Sequence, residues 1–192
     1  MIKLLTTLFF LLTSIFCSGQ KYISKPLAYK SCKEFIFNKK NIDSTIYTIN
    51  ASELQSLIKC REKKFTLIYV FSPTCSSVKN RMIDVAKLLK EKQIDILFFS
   101  IDKDNSKSLN RFYEYFLKIN YTYPLFVVSD KYSKNGDKKL KLFLKQITPH
   151  QDYKNVSRGS IILLDDKGDI IYFSDYTKKQ PIKDVIQLIN PE

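Results

Sequence analysis

The chain is short of the residues that usually announce a chemistry. Its 192 residues include no tryptophan, one histidine, four glycines and four cysteines. The histidine, His150, follows Pro149 in a polar stretch, so a Cys75–His150 nucleophile–base pair has no motif behind it. The scarcity of glycine accompanies an abundance of Ile, Asn, Tyr and Phe, the mark of an AT-rich coding bias. Beyond the N-terminus no apolar run is long enough to span a membrane. Internal repeats and a second domain boundary are also missing. The length suits one ordinary domain with a full core.

Acidic residues are scarce too, 19 against 32 basic, which leaves a formal charge of +13. The lysines are scattered as pairs (Lys39-Lys40, Lys63-Lys64, Lys138-Lys139, Lys178-Lys179) rather than gathered into a stripe. That pattern reads as a solvated basic surface. It attracts anionic lipid or acidic partners at the membrane periphery; a nucleic-acid partner is not expected.

The one long apolar run is N-terminal. Lys3 is followed by uncharged Leu4 to Phe16 and then Cys17-Ser18-Gly19, the layout of a secretory signal peptide. The expected division is a signal peptide over 1–19, an N-terminal extension over 20–48 and one domain over 49–192. The product is then periplasmic or secreted. Lipid anchoring at Cys17 ranks second, because bulky Phe16 stands where that processing prefers a small residue. An uncleaved anchor ranks third, the run being short of roughly 20 residues.

Removal of the leader leaves Cys32, Cys60 and Cys75, an odd number in an oxidising compartment. Either Cys32 and Cys60 form a bridge and Cys75 is free, or one of the two resolves Cys75. Spacing leaves both divisions open.

The chain is organised around Phe65 to Val78. Phe65–Phe71 is rich in β-branched and aromatic residues and predicts a buried strand. Ser72-Pro73-Thr74 ends it, and Val78, Met82, Val85 and Leu89 then share one helical face. Cys75 therefore sits where a buried strand meets a helix N-terminus. Unpaired N–H groups and the positive end of the helix dipole favour a thiolate there.

The other elements follow in order. Ser44–Ile49 predicts a short strand, and Asn50-Ala51-Ser52-Glu53 a capping box opening a helix with Leu54, Leu57 and Ile58 inward. Ile94–Ile101 predicts a strand and Ser106–Ile119 a helix. After Pro124, Leu125–Val128 is extended, Lys131–Lys139 a loop turning at Asn135-Gly136-Asp137, and Leu140–Gln146 a short helix. Ser160–Leu164 and Ile170–Phe173 form a hairpin, and Pro181 opens a last helix. Alternating strands and helices imply parallel strands joined by crossovers.

Phe71-Ser72-Pro73-Thr74-Cys75 resembles the active-site entry of the thioredoxin-like superfamily of thiol–disulfide oxidoreductases. The resemblance implies a three-layer α/β fold, a central mixed sheet flanked by helices, with an insertion before the C-terminal β-hairpin. Those proteins usually continue as Cys-x-x-Cys, whereas Cys75-Ser76-Ser77-Val78 lacks the second cysteine. The segment Arg158-Gly159-Ser160-Ile161-Ile162-Leu163-Leu164-Asp165-Asp166-Lys167-Gly168 is similar to a strand and turn of peroxiredoxins. In that family the matching arginine lies beside the peroxidatic cysteine, and a hydroxyl stands three residues before it, here Ser72. Two positions depart: Ile68 replaces the peroxiredoxin proline, and Gly159-Ser160 replace the thioredoxin cis-proline.

The resulting expectation is an exported thiol redox protein using Cys75 as nucleophile in disulfide exchange. Arg158 lowers its pKa, and Ser72 or Thr74 bonds the sulfur or substrate. Its partners are protein thiols or disulfides and a reducing partner. A peroxiredoxin-like peroxidase is the first alternative, a degenerate binding module the second. No cofactor is implied. Metal binding is not implied either, since the copper-chaperone branch needs two cysteines near the turn and only Cys75 is there.

Overall fold

The computed structural model describes residues 24–27, 46–72, 75–88, 94–103, 108–109, 111, 115–116, 125–174 and 180–190. The expected signal peptide, together with Cys17, Cys32 and Thr74, lies outside them. The strands are β1 (Ser24–Pro26), β2 (Ile46–Ile49), β3 (Phe65–Phe71), β4 (Ile94–Ser100), β5 (Leu125–Val128), β6 (Ile161–Asp165) and β7 (Ile170–Phe173). The helices are α1 (Ala51–Arg61), α2 (Ser76–Lys87), α3 (Gly136–Ile147) and α4 (Pro181–Ile189). Ser108, Leu109, Arg111, Tyr115 and Phe116 are also helical.

The seven strands form one sheet in the order β1-β2-β5-β4-β3-β6-β7. β1 to β5 are mutually parallel, β6 runs antiparallel beside β3, and β7 runs antiparallel to β6 at the edge. β3 and β4 are buried at every residue, as in strands covered on both faces, with the buried Asp95 of β4 paired to Arg61. Alternation splits the side chains between two cores. Ile68, Val70, Leu97 and Phe99 pack with Leu54, Leu57 and Ile58 of α1 and Leu140, Phe143 and Leu144 of α3. On the other face Leu67, Tyr69, Phe71 and Phe98 pack with Val78, Met82 and Val85 of α2 and Val185 and Ile189 of α4. Phe116 joins that side, its ring edge-on to Phe98 at 4.7 Å and to Phe71 at 5.4 Å. The fold is thus the expected three-layer α/β one, a central mixed sheet flanked by helices.

The expected capping box is present. Asn50 Oδ1 accepts from the Glu53 N–H at 3.1 Å, and Glu53 Oε2 accepts from the Asn50 N–H at 2.7 Å. Three features depart from expectation. β1 adds an edge strand from the stretch expected as an extension, and the 48/49 boundary falls inside β2. β5 enters the middle of the sheet, between β2 and β4. Its four buried residues pair with β2, and Phe126 and Val127 also pair with β4, which a run of apolar side chains covered on both faces permits. Finally, Asn135-Gly136-Asp137 is a helix start, so Lys138-Lys139 is helical rather than loop. The Asn135 side chain caps α3 by accepting from the Lys138 N–H at 3.0 Å.

Candidate active site

Because β3, β4 and β5 are parallel, their C-terminal ends share one edge of the sheet. Antiparallel β6 brings its N-terminal approach, Ser157–Ser160, to the same edge. Two hydrogen bonds fix it there: the Gly159 N–H donates to the Val70 carbonyl at 2.7 Å, and the Val70 N–H donates to the Ser160 carbonyl at 3.0 Å. Clefts beyond the carboxyl ends of parallel strands are where α/β proteins commonly build sites. Here a cavity of about 270 Å³ is lined by Cys75, Ser77, Val78, Arg81, Ser157, Arg158 and Gly159.

Cys75 immediately precedes α2 and holds the N-cap position. Its Sγ lies 3.1 Å from Ser77 Oγ, and its N–H donates to the Ser72 carbonyl at 3.4 Å. The thiol is free, partly exposed and pushed below its ordinary pKa. The Ser77 hydroxyl is the largest cause and the Val78 N–H the next. Burial opposes them, while the Ser77 N–H and the Arg158 charge also favour the thiolate, more weakly. The sulfur thus takes the place of an N-cap oxygen, accepting from the second and third helical residues. Tyr69 steadies that first turn from below, its buried hydroxyl donating to the Val78 carbonyl at 2.6 Å. Burial raises the phenol's pKa, so it remains a donor.

Of the residues expected at the site, Cys75 and Arg158 meet at the cavity. Ser72 does not line it. That residue is fully buried at the end of β3, where its carbonyl holds the turn into Cys75. Thr74 is outside the described residues, and His150 is exposed and away from the cavity lining. Cys60 is disulfide-bonded, and Cys75, which is free, is not its partner. It packs against the opposite core from Cys75. It also lies before β3 begins, and the strand's length alone separates the two by roughly 20 Å. Cys60 is therefore placed to brace α1 rather than to resolve Cys75. Among the described residues no cluster of His, Cys, Asp and Glu could hold a metal.

Ser77, Arg81, Ser157 and Gly159 were not read from the sequence as site residues. Ser77 carried a usable signal, a hydroxyl two residues after a cysteine at an N-cap. Arg81 Nη1 donates to the Gly159 carbonyl at 3.1 Å and ties α2 to the approach of β6. Gly159 has φ +86°, and a Cβ there would sit 3.2 Å from Val78 Cγ2. Gly159→Ala is expected to cost about 1–2 kcal/mol from left-handed strain, read as a lower urea midpoint. Displacement of Val78 should also slow alkylation of Cys75.

No protein-family model matches the sequence, and no curated protein does. Among solved structures the chain is similar to a thioredoxin-family thiol:disulfide interchange protein from Chlorobium tepidum. Identity there is 10%, covering 73% of this chain and 84% of that one, with a TM-score of 0.47. It is also similar to a thiol-disulfide oxidoreductase from Bacteroides fragilis (16% identity, 65% and 81% covered, TM-score 0.43). A yeast mitochondrial 1-Cys peroxiredoxin is similar at 16% identity, with 66% and 62% covered and a TM-score of 0.42. What this chain itself shows is the strand order, the antiparallel hairpin beside the central strand and the two helical layers. Within that fold, a free cysteine caps the helix that follows the central strand.

Proposed function

We propose that this is an exported thiol oxidoreductase that exchanges disulfides through Cys75 alone. The observation that carries the reading is the sulfur at the α2 N-cap, receiving the Ser77 hydroxyl and the Val78 N–H that favour its thiolate. The thiolate attacks one sulfur of a partner disulfide. A mixed disulfide forms, the partner's S–S bond breaks, and its other sulfur leaves as a thiolate that takes up a proton. Val78 replaces a second cysteine, so an external thiol must attack the mixed disulfide. That attack releases Cys75 as thiolate and leaves the external thiol oxidised. Room beside the sulfur supports a polypeptide partner: Ser77 and Arg81 also border a groove of about 600 Å³ between α2 and α4. Export is supported by the N-terminal sequence and by the disulfide at Cys60. The high positive charge favours acidic partners or peripheral contact with anionic lipid.

The test is alkylation of Cys75 by iodoacetamide across pH, followed by mass spectrometry of its peptide. The rate should level off at a pH below the ~8.5 of an unperturbed thiol. A mixed disulfide with a glutathionylated or aryl-disulfide probe should form on Cys75 and yield to added thiol. A plateau at or above the ordinary range, with no mixed disulfide, would leave the degenerate binding module as the reading. Peroxide reduction is the second reading, favoured by Arg158 on the cavity wall. There the thiolate attacks a peroxide oxygen, the O–O bond breaks to give sulfenic acid, and the departing oxygen takes a proton. Peroxide-dependent trapping of a sulfenic acid on Cys75, at a rate well above that of free cysteine, would select it.

A further inference from the structure

Arg158 reaches the cavity from a socket built by the end of β4 and the start of α3. Its Nη2 lies 3.3 Å from Asp102 Oδ1, just beyond β4, and its Nη1 3.9 Å from Asp137 Oδ1 in the first turn of α3. Both carboxylates are themselves held. Ser108 Oγ donates to Asp102 Oδ2 at 3.1 Å, and Ser157 Oγ donates to Asp137 Oδ1 at 2.8 Å. Gly136 makes the approach possible, because a Cβ there would lie 3.2 Å from Arg158 Nη2 and 2.9 Å from the Ile101 carbonyl. A simple surface arginine needs none of this.

We infer that Asp102 and Asp137 are positioning residues, which hold the Arg158 guanidinium in the socket so that it acts on Cys75 only in part. This rests on the proposal that Cys75 is the working nucleophile. Two carboxylates offset most of one guanidinium charge. Arg158 is also the smallest of the influences that favour the thiolate, behind the Ser77 and Val78 hydrogen bonds. Restraint has a chemical use. An attacking thiol works best with its pKa near ambient pH, and a fully charged arginine against the sulfur would make it a weaker nucleophile. Among the described residues, the charged and titratable groups facing this corner are Arg81 of α2, Tyr69 of β3, Tyr115, Asp102 after β4, Asp130 after β5, Asp137 and Lys139 of α3, and Arg158 itself.

The experiment compares iodoacetamide alkylation of Cys75 at pH 6 in the full chain and in Asp102→Asn and Asp137→Asn. Each is made with Arg158 present and in an Arg158→Met background. With Arg158 present, either variant frees the guanidinium, and the rate should rise about two- to threefold through a larger thiolate fraction. In the Arg158→Met background the same substitutions should leave the rate unchanged. A rise of equal size in both backgrounds would mean that the carboxylates act on the sulfur directly, and no rise in either variant would mean that they restrain nothing; both overturn the inference. Asp137 is half exposed on the helix surface, so its variant keeps the test open if Asp102→Asn folds poorly. The proposed function is judged separately, on the pH profile of the unmodified chain.

Discussion

Cys75→Ser is expected to keep the fold and lose disulfide reduction, mixed-disulfide capture and peroxide consumption together. Serine fits the N-cap at least as well as cysteine and accepts the same helical N–H groups, so stability should change little. Its hydroxyl does not ionise near neutral pH, and no base among the cavity-lining residues would activate it. Loss of a covalent nucleophile that acts without a backup should lower any turnover by at least about a thousandfold. Insulin reduction and a peroxide assay on the folded variant measure this, with circular dichroism as the check on folding. Retained turnover would move the chemistry away from Cys75 altogether. The same pair of proteins carries a pH signature. Because the folded thiol is more acidic than the unfolded one, the reduced wild-type chain gains stability as pH rises from the folded pKa to about 8.5. It loses that gain as pH falls through the folded pKa, and Cys75→Ser shows neither change.

The parts of this fold legible in the sequence are those in which local preference and burial agree. Phe65–Phe71 is β-branched, aromatic and buried throughout, and Asn50 with Glu53 closes a capping box that local chemistry alone specifies. Other features depend on distant partners. Leu125–Val128 is only four residues long, and its place inside the sheet is decided by pairing with Ile46–Ile49 on one side and Phe99-Ser100 on the other. Asn135-Gly136 is ambiguous in principle. The pair suits a tight turn as well as a helix cap, and the close approach of Ile101 and Arg158 to Gly136 goes with the helix. Ser72 shows a limit of motif transfer. Its offset from Cys75 matches a substrate-binding hydroxyl, while the fold buries it at the end of β3, off the cavity lining, with its carbonyl accepting from the Cys75 N–H. Ser77 has no such pedigree and makes the contact.

Asp130→Ala should be the most damaging of the polar substitutions at the corner behind the site, and Lys139→Met markedly milder. Lys139 is a fully buried lysine on α3. Its ammonium pairs with Asp130, just past β5, and donates to the Asp102 carbonyl at 2.9 Å. Removing Asp130 encloses a cation with one neutral acceptor, a cost of about 3 kcal/mol after discounting for the partial exposure of that carboxylate. Methionine keeps the stem's packing and removes the charge. Asp130, 34% exposed, can then turn to water, so the loss should be about 1 kcal/mol, mostly the unpaired Asp102 carbonyl. At this size 1 kcal/mol moves the midpoint by roughly 2–4 °C, so the two variants should separate clearly in thermal melts. The opposite order would show that the lysine stem, not its charge pairing, holds the corner. Because Lys139 grips the backbone of the residue whose side chain holds Arg158, the variants also bear on the site. Lys139→Met should loosen Asp102 and raise Cys75 alkylation at pH 6 in the same direction as Asp102→Asn, by less than that variant does. A change at the sulfur without any substitution in the cavity lining would make the Asp130–Lys139 corner part of the candidate site's construction.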